Sequence, residues 1–249
     1  MNTNYIKFGK GDKTMLILPG VALKPVTINS EAIINAYEIF SNDFTVYLFD
    51  YPDDLKKGDR VADITDKLIK QIEELGLKDI YLLGVSLGGM ISLEIALKRN
   101  DLIKKMVIAS SVCRIDKLRQ EWIEYARDRK LVEMIKDFCG YIYSEDFYNN
   151  YIDVIIEAFA DTSDKQLDHF IILEESTKGF DVSKRISDID IPSMVLGSKK
   201  DKIFDYREME YLADLLNGHI YLYDEYSHAV YDEAPDFKKH IYDFYLREE

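Results

Sequence analysis

Apolar residues in this chain fall into two alternating patterns. One is a short run rich in Val, Ile and Leu; the other is a stripe that recurs every three or four positions. The runs at residues 4–8, 15–18, 45–49, 80–84, 105–109, 193–197 and 219–223 predict strands. Several are apolar on both faces, as strands covered by helices on two sides must be. Between them, Val61, Ile64, Leu68, Ile72 and Leu75 share one face of a helix that Gly76 ends. Pro235 opens a last helix in which Phe237, Ile241 and Phe244 lie together. Strand and helix in alternation predict an α/β fold, a doubly wound, mostly parallel sheet.

The alternation fails once. From Cys113 to Lys178 no strand pattern occurs, only helical periodicity dense in aromatics such as Trp122, Tyr125, Phe138, Tyr141, Tyr148, Phe159 and Phe170. The stretch is too long for a simple strand-to-helix connection. It predicts a helical insertion between two sheet strands, lying as a cap over the C-terminal edge of the sheet, with most of its aromatics packing its own small core. The expected divisions are a core at 1–112, a cap at 113–178 and the rest of the core at 179–249.

Composition narrows the function. A length of 249 residues suits one large domain with an insertion. Hydrophobic residues at 47% and charged residues at 31% exclude an intrinsically disordered chain. With 32 Lys+Arg against 46 Asp+Glu, the net charge of −14 repels phosphate backbones and anionic lipid. That argues against nucleic-acid and membrane partners. Two cysteines, Cys113 and Cys139, supply neither a disulfide framework nor a four-thiolate zinc site. Cys113 is read as a buried, inert thiol, or else as a reactive one near the sheet edge that carries the chemistry. The first fifteen residues are polar and no later apolar run reaches the length of a membrane span, so a cytoplasmic location is expected.

The chemistry centres on Gly84-Val85-Ser86-Leu87-Gly88, followed by Gly89. A strand runs in, and a nearly all-apolar helix (Met90, Ile91, Leu93, Ile95) runs out. Such a turn lifts a serine hydroxyl off the sheet edge and sets it at a helix N-terminus, facing backbone N–H groups. Small residues two positions either side are required because side chains there would strike the adjoining strand and helix. This composition yields Gly-x-Ser-x-Gly by chance in about 0.03 chains of this length, so Ser86 is the candidate nucleophile.

A nucleophilic serine needs a base, and there are four histidines. His169 lies in the insertion, His219 begins a strand at the opposite edge, and His240 sits beside Lys238 and Lys239 on a solvated face. His228 follows the last strand, in the loops that gather at the C-terminal sheet edge, and is the candidate base. The carboxylate that orients it should follow the preceding strand; Asp201 stands there, with Asp205 and Asp116 in reserve. The oxyanion donors expected are the N–H of Leu87 and an N–H after Leu18-Pro19-Gly20, that of Val21 or else Ala22.

On these residues the chain resembles the α/β-hydrolase fold superfamily, specifically its capped, single-domain esterase-like members. The likeness spans nearly the whole chain and adds Asp50-Tyr51-Pro52, Gly197 to Asp201, and Ser227-His228 followed by Glu233-Ala234-Pro235. It implies Ser86 as nucleophile, His228 as base, Asp201 as acid, and Leu87 with Val21 as oxyanion donors. Three features depart from the family pattern. Pro19-Gly20 replaces the usual His-Gly, so the turn's support must come from elsewhere. The glycine-to-acid spacing is one residue longer than in many members. The short N-terminal segment predicts about seven strands rather than eight.

No zinc-ligand spacing, dinucleotide fingerprint or phosphate loop occurs, so no cofactor is expected. The function expected is hydrolysis of a small ester, thioester or related carbonyl compound through an acyl-enzyme. A serine at the elbow disfavours dehalogenases and epoxide hydrolases, which need a carboxylate there. A carbon–carbon bond hydrolase or an aminopeptidase would use the same three side chains. A small-molecule sensor retaining them with little turnover is the alternative from another class. Lys24, just past the oxyanion turn, is read as a surface lysine or as a contact for a substrate carboxylate.

Overall fold

The structure, a computed structural model, describes residues 5–115 and 119–247. All seven apolar runs form strands: β1 (Tyr5–Phe8), β2 (Lys13–Leu18), β3 (Phe44–Phe49), β4 (Ile80–Val85), β5 (Ile103–Ala109), β6 (Ser193–Ser198) and β7 (His219–Tyr223). Asn4, expected to begin the first, lies outside the described residues. The strands make one sheet in the order β1-β3-β2-β4-β5-β6-β7. Only β1 runs antiparallel, against β3; the other pairings are parallel. This is the doubly wound sheet that the sequence pattern predicts.

Period-two alternation sorts the strand side chains to two faces. Leu16 and Leu18 of β2, Ile80 and Leu82 of β4, and Met106 and Ile108 of β5 enter one core. Their neighbours Met15, Ile17, Leu83, Val85, Val107 and Ala109 enter the other. Both faces are therefore apolar, which is why the central strands read as unbroken runs. Helices α2 (Val61–Glu74), α3 (Leu87–Arg99) and α8 (Tyr206–Leu215) cover the first face. The second is covered by α10 (Phe237–Leu246), with Ile33 of α1 (Ser30–Ala36) packed at its margin. In α2 the stripe Val61, Ile64, Leu68 and Ile72 is buried, and Gly76 takes the left-handed φ of 65° just beyond it. The last helix begins at Phe237 with Asp236 as its cap, two residues later than Pro235 suggests.

Between β5 and β6 the chain makes α4 (Gln120–Arg127), α5 (Leu131–Ile142), α6 (Glu145–Phe159) and α7 (Asp164–Ser176). These helices share a third core built on Trp122, Ile123, Met134, Ile135, Leu167 and Phe170, and Val21 and Ile203 of the sheet-edge loops pack against it. Helix α6 lies outermost: none of its residues is buried, and Tyr151 and Val154 are exposed. A short helix, α9 (Val230–Glu233), precedes α10. Among the described residues no helix is long and apolar enough to cross a membrane.

Candidate active site

Strand β4 ends in the tight turn expected of Gly84–Gly88, with Ser86 at φ 51° and ψ −116°. Such a conformation is costly for a residue with a Cβ and survives only where its surroundings hold it. Here the Ser86 N–H donates to the Ala109 carbonyl at 2.9 Å. Its own carbonyl accepts from Ser111 Oγ at 2.7 Å and from the Gly89 N–H at 2.9 Å. Glycine is required on both sides of the serine. A Cβ on Gly84 would stand 2.4 Å from the Gly88 carbonyl oxygen, and one on Gly88 would stand 2.1 Å from that of Leu18.

His228 follows β7 and is almost wholly buried. Its Nε2 lies 3.1 Å from Ser86 Oγ and its Nδ1 lies 2.8 Å from Asp201 Oδ2. Asp201 follows β6; its side chain is fully buried, and its other oxygen accepts from the Ile203 and Phe204 N–H groups at 2.7 and 3.0 Å. This placement suits the imidazole tautomer whose Nδ1–H donates to Asp201 and whose Nε2 lone pair faces the serine hydroxyl. The histidine loop is tied down on both sides. The His228 carbonyl accepts from Ser110 Oγ at 2.6 Å, the Ala229 N–H donates to the Ile142 carbonyl at 2.7 Å, and Ser227 Oγ donates to the Tyr141 carbonyl at 2.8 Å.

Leu87, at the first position of α3, and Val21 line the same cavity as Ser86 and His228. Among the described residues neither of their N–H groups has a protein acceptor. Ala22, the alternative to Val21, lines a second cavity behind the turn. Gly20 allows the turn to approach the serine, since a Cβ there would sit 3.2 Å from Ser86 Cβ. The support that a His-Gly pair would give comes from Tyr51, whose buried hydroxyl donates to the Pro19 carbonyl. Tyr51 belongs to the Asp50-Tyr51-Pro52 segment of the family resemblance, but nothing in the sequence assigns it this contact.

The cavity above Ser86 holds about 630 Å³. Its walls combine Met90, Val112, Trp122, Phe138 and Ile142 with the charged side chains of Arg114, Arg119, Glu121, Glu174, Asp205 and Glu208. Arg114 forks onto Glu208 with two 2.8 Å hydrogen bonds. Arg119 lies 3.5 Å from the centre of the Tyr141 ring. Glu174 of α7 also lines the cavity, and burial pushes its carboxyl up to about 8. No sequence signal marks it, because a glutamate between Leu173 and Glu175 reads as part of an ordinary amphipathic helix.

The remaining candidates separate cleanly. Asp205 caps α8, accepting from the Arg207 N–H, and makes no contact with His228. Asp116 lies outside the described residues. Lys24 does not line the cavity above Ser86; it lines the second cavity, pairs with Asp161 and donates to the Ala158 carbonyl at 2.8 Å. Cys113 is buried, and that burial pushes its thiol up to about 11. His169 bonds the Pro52 carbonyl at 3.1 Å, and His240 lies against Tyr221. Among the described residues no group of three or more His, Cys, Asp or Glu could hold a metal ion.

Comparison with known proteins agrees with this architecture. The family model of the alpha/beta hydrolase fold matches residues 13–235. A protein of Rhizobium rhizogenes named for carbamate hydrolysis, RutD, is 26% identical over 80% of this chain and 81% of its own. The proline iminopeptidase of Elizabethkingia meningoseptica is 24% identical over 71% of this chain and 68% of its own. Among solved structures, MGS-M2, an alpha/beta hydrolase enzyme from a Medee basin deep-sea metagenome library, superposes with a TM-score of 0.89. It is 23% identical, over 99% of this chain and 95% of that one, which speaks to the fold alone.

Proposed function

The chain belongs to the alpha/beta hydrolase fold family, and on that premise we propose that it is a serine hydrolase that cleaves a small carboxylic ester or related carbonyl compound through an acyl-enzyme. The observation that carries this reading is the continuous line of hydrogen bonds from Ser86 through His228 to Asp201 at the floor of a cavity with a mixed apolar and charged lining.

In this mechanism His228 Nε2 takes the Ser86 proton as Oγ attacks the substrate carbonyl. The Asp201 carboxylate, held by two backbone N–H groups, stabilises the imidazolium that forms. The free N–H groups of Leu87 and Val21 receive the oxyanion, where donors fixed in advance act most strongly. His228 then protonates the leaving group, which departs, and water repeats the cycle on the acyl-enzyme. Helices α4 to α7 serve as the cap that encloses the acyl group. Relatives named for carbamate hydrolysis and as a proline iminopeptidase support hydrolysis as the reaction class.

Intact mass after exposure to a fluorophosphonate tests this. One adduct on the wild type and none on Ser86→Ala is expected, followed by turnover of small esters that the variant lacks. An adduct that persists in the variant, or a folded wild type that takes none, would remove Ser86 as nucleophile. The weight would then pass to a ligand-binding sensor.

A further inference from the structure

The acyl-transfer reading leaves one wall of the cavity without a task. Glu174 lines it, is 7% exposed, and among the described residues its carboxyl makes no hydrogen bond or ion pair. Only its backbone is engaged, the carbonyl accepting from Thr177 Oγ1 at 2.8 Å. The described arginines of the cavity are committed elsewhere. Arg114 is forked onto Glu208, while Arg119 lies over Tyr141 and donates to the Lys202 carbonyl. Burial alone accounts for the rise of the Glu174 carboxyl, with no positive charge among the described residues to oppose it. Protein interiors rarely leave such a group unpaired, since stranding it costs several times what an exposed carboxylate does.

We propose that Glu174 is a specificity-determining acceptor for a substrate ammonium group, so that the preferred substrates carry a primary amine on the part that enters this cavity. A hydroxyl would give the carboxylate one hydrogen bond and leave its charge uncompensated. An ammonium supplies both the donors and the opposite charge, and for a carboxylate only 7% exposed that difference is large. The inference rests on the cavity being the substrate site of the proposed hydrolase, and it narrows the substrate class.

The test uses straight-chain amines from propylamine to octylamine against alcohols of the same lengths. Each is assayed as a competitive inhibitor of ethyl butyrate hydrolysis at about pH 8.5, where the carboxyl is largely ionised and the amines remain cationic. Each is also assayed, without substrate, for its effect on the melting temperature. At the chain length that spans the cavity, the amine should inhibit at least about tenfold more tightly than its alcohol and should raise the melting temperature more. Glu174→Gln should bring the two together in both assays, while Glu121→Gln, at an exposed carboxylate of the same cavity, should keep them apart. Equal action of amine and alcohol at every length would overturn the proposal. So would a preference that survives Glu174→Gln or vanishes in Glu121→Gln. The melting shift needs no turnover. A protein that neither hydrolyses esters nor takes a fluorophosphonate would lose the serine-hydrolase reading, yet a Glu174-dependent amine shift would still stand.

Discussion

Tyr51 holds the turn that presents the Val21 amide, through one hydroxyl on the Pro19 carbonyl. Its replacement by Phe removes that contact without removing the ring. We expect kcat to fall about tenfold with KM little changed, because a displaced donor weakens the transition state more than the ground state. Stability should fall by about 1 kcal/mol, as for an ordinary hydrogen bond. A lower melting temperature with unchanged kcat would make Tyr51 a packing residue only. Asp201→Asn is a harsher change, because an amide in its place lets the imidazole take the wrong tautomer. A fall in kcat of about 10⁴-fold in a folded protein is expected, and a loss of less than tenfold would point to another acid. Ser86, Asp201 and His228 were legible because sheet-edge chemistry has a fixed chain order. Tyr51 and Glu174 were not, since one acts through a main-chain carbonyl and the other is distinguished only by burial.

The elbow joining β4 to α3 is where local geometry tolerates least. Gly88→Ala would press a methyl to 2.1 Å from the Leu18 carbonyl oxygen, and strand β2 would have to move. Overpacking of this kind costs about 1–3 kcal/mol or more, a drop of roughly 5 °C in melting temperature. Gly140→Ala, whose nearest atom would stand 3.9 Å away within α5, should hold or raise it. Equal melting temperatures for the two variants would contradict the packing described here. Strands and sheet helices could be read from the chain because two-sided burial writes itself as unbroken apolar runs. Helix α6 reads equally apolar and packs Ile152, Ile155 and Ile156 on the third core, yet Tyr151 and Val154 beside them face outward at 50% and 62% exposure. Periodicity locates an apolar stripe; it does not say whether anything lies against it.

At the scale of the whole molecule, Glu174 links stability to pH. Unfolded, its carboxyl ionises near about 4.3; folded, it does so near about 8. Between those values the folded state holds the proton that the unfolded state has lost, so stability falls as pH rises through that window. Glu174→Gln should therefore match the wild type in acid and exceed it by several degrees of melting temperature above about pH 8. A difference that does not vary with pH would contradict the burial argued for this side chain.

The loop that carries His228 is held from across the cavity by the carbonyls of Tyr141 and Ile142. Those are main-chain atoms, offered by any sequence that ends a helix in the same place. The wall beside them, with Trp122, Phe138 and Glu174, is made of side chains. Over many generations the two can drift at different rates: the wall can be rewritten residue by residue for a new substrate while the base stays anchored. A graft that shortened α5 by a turn would do the reverse, preserving most of the wall and setting the histidine loose.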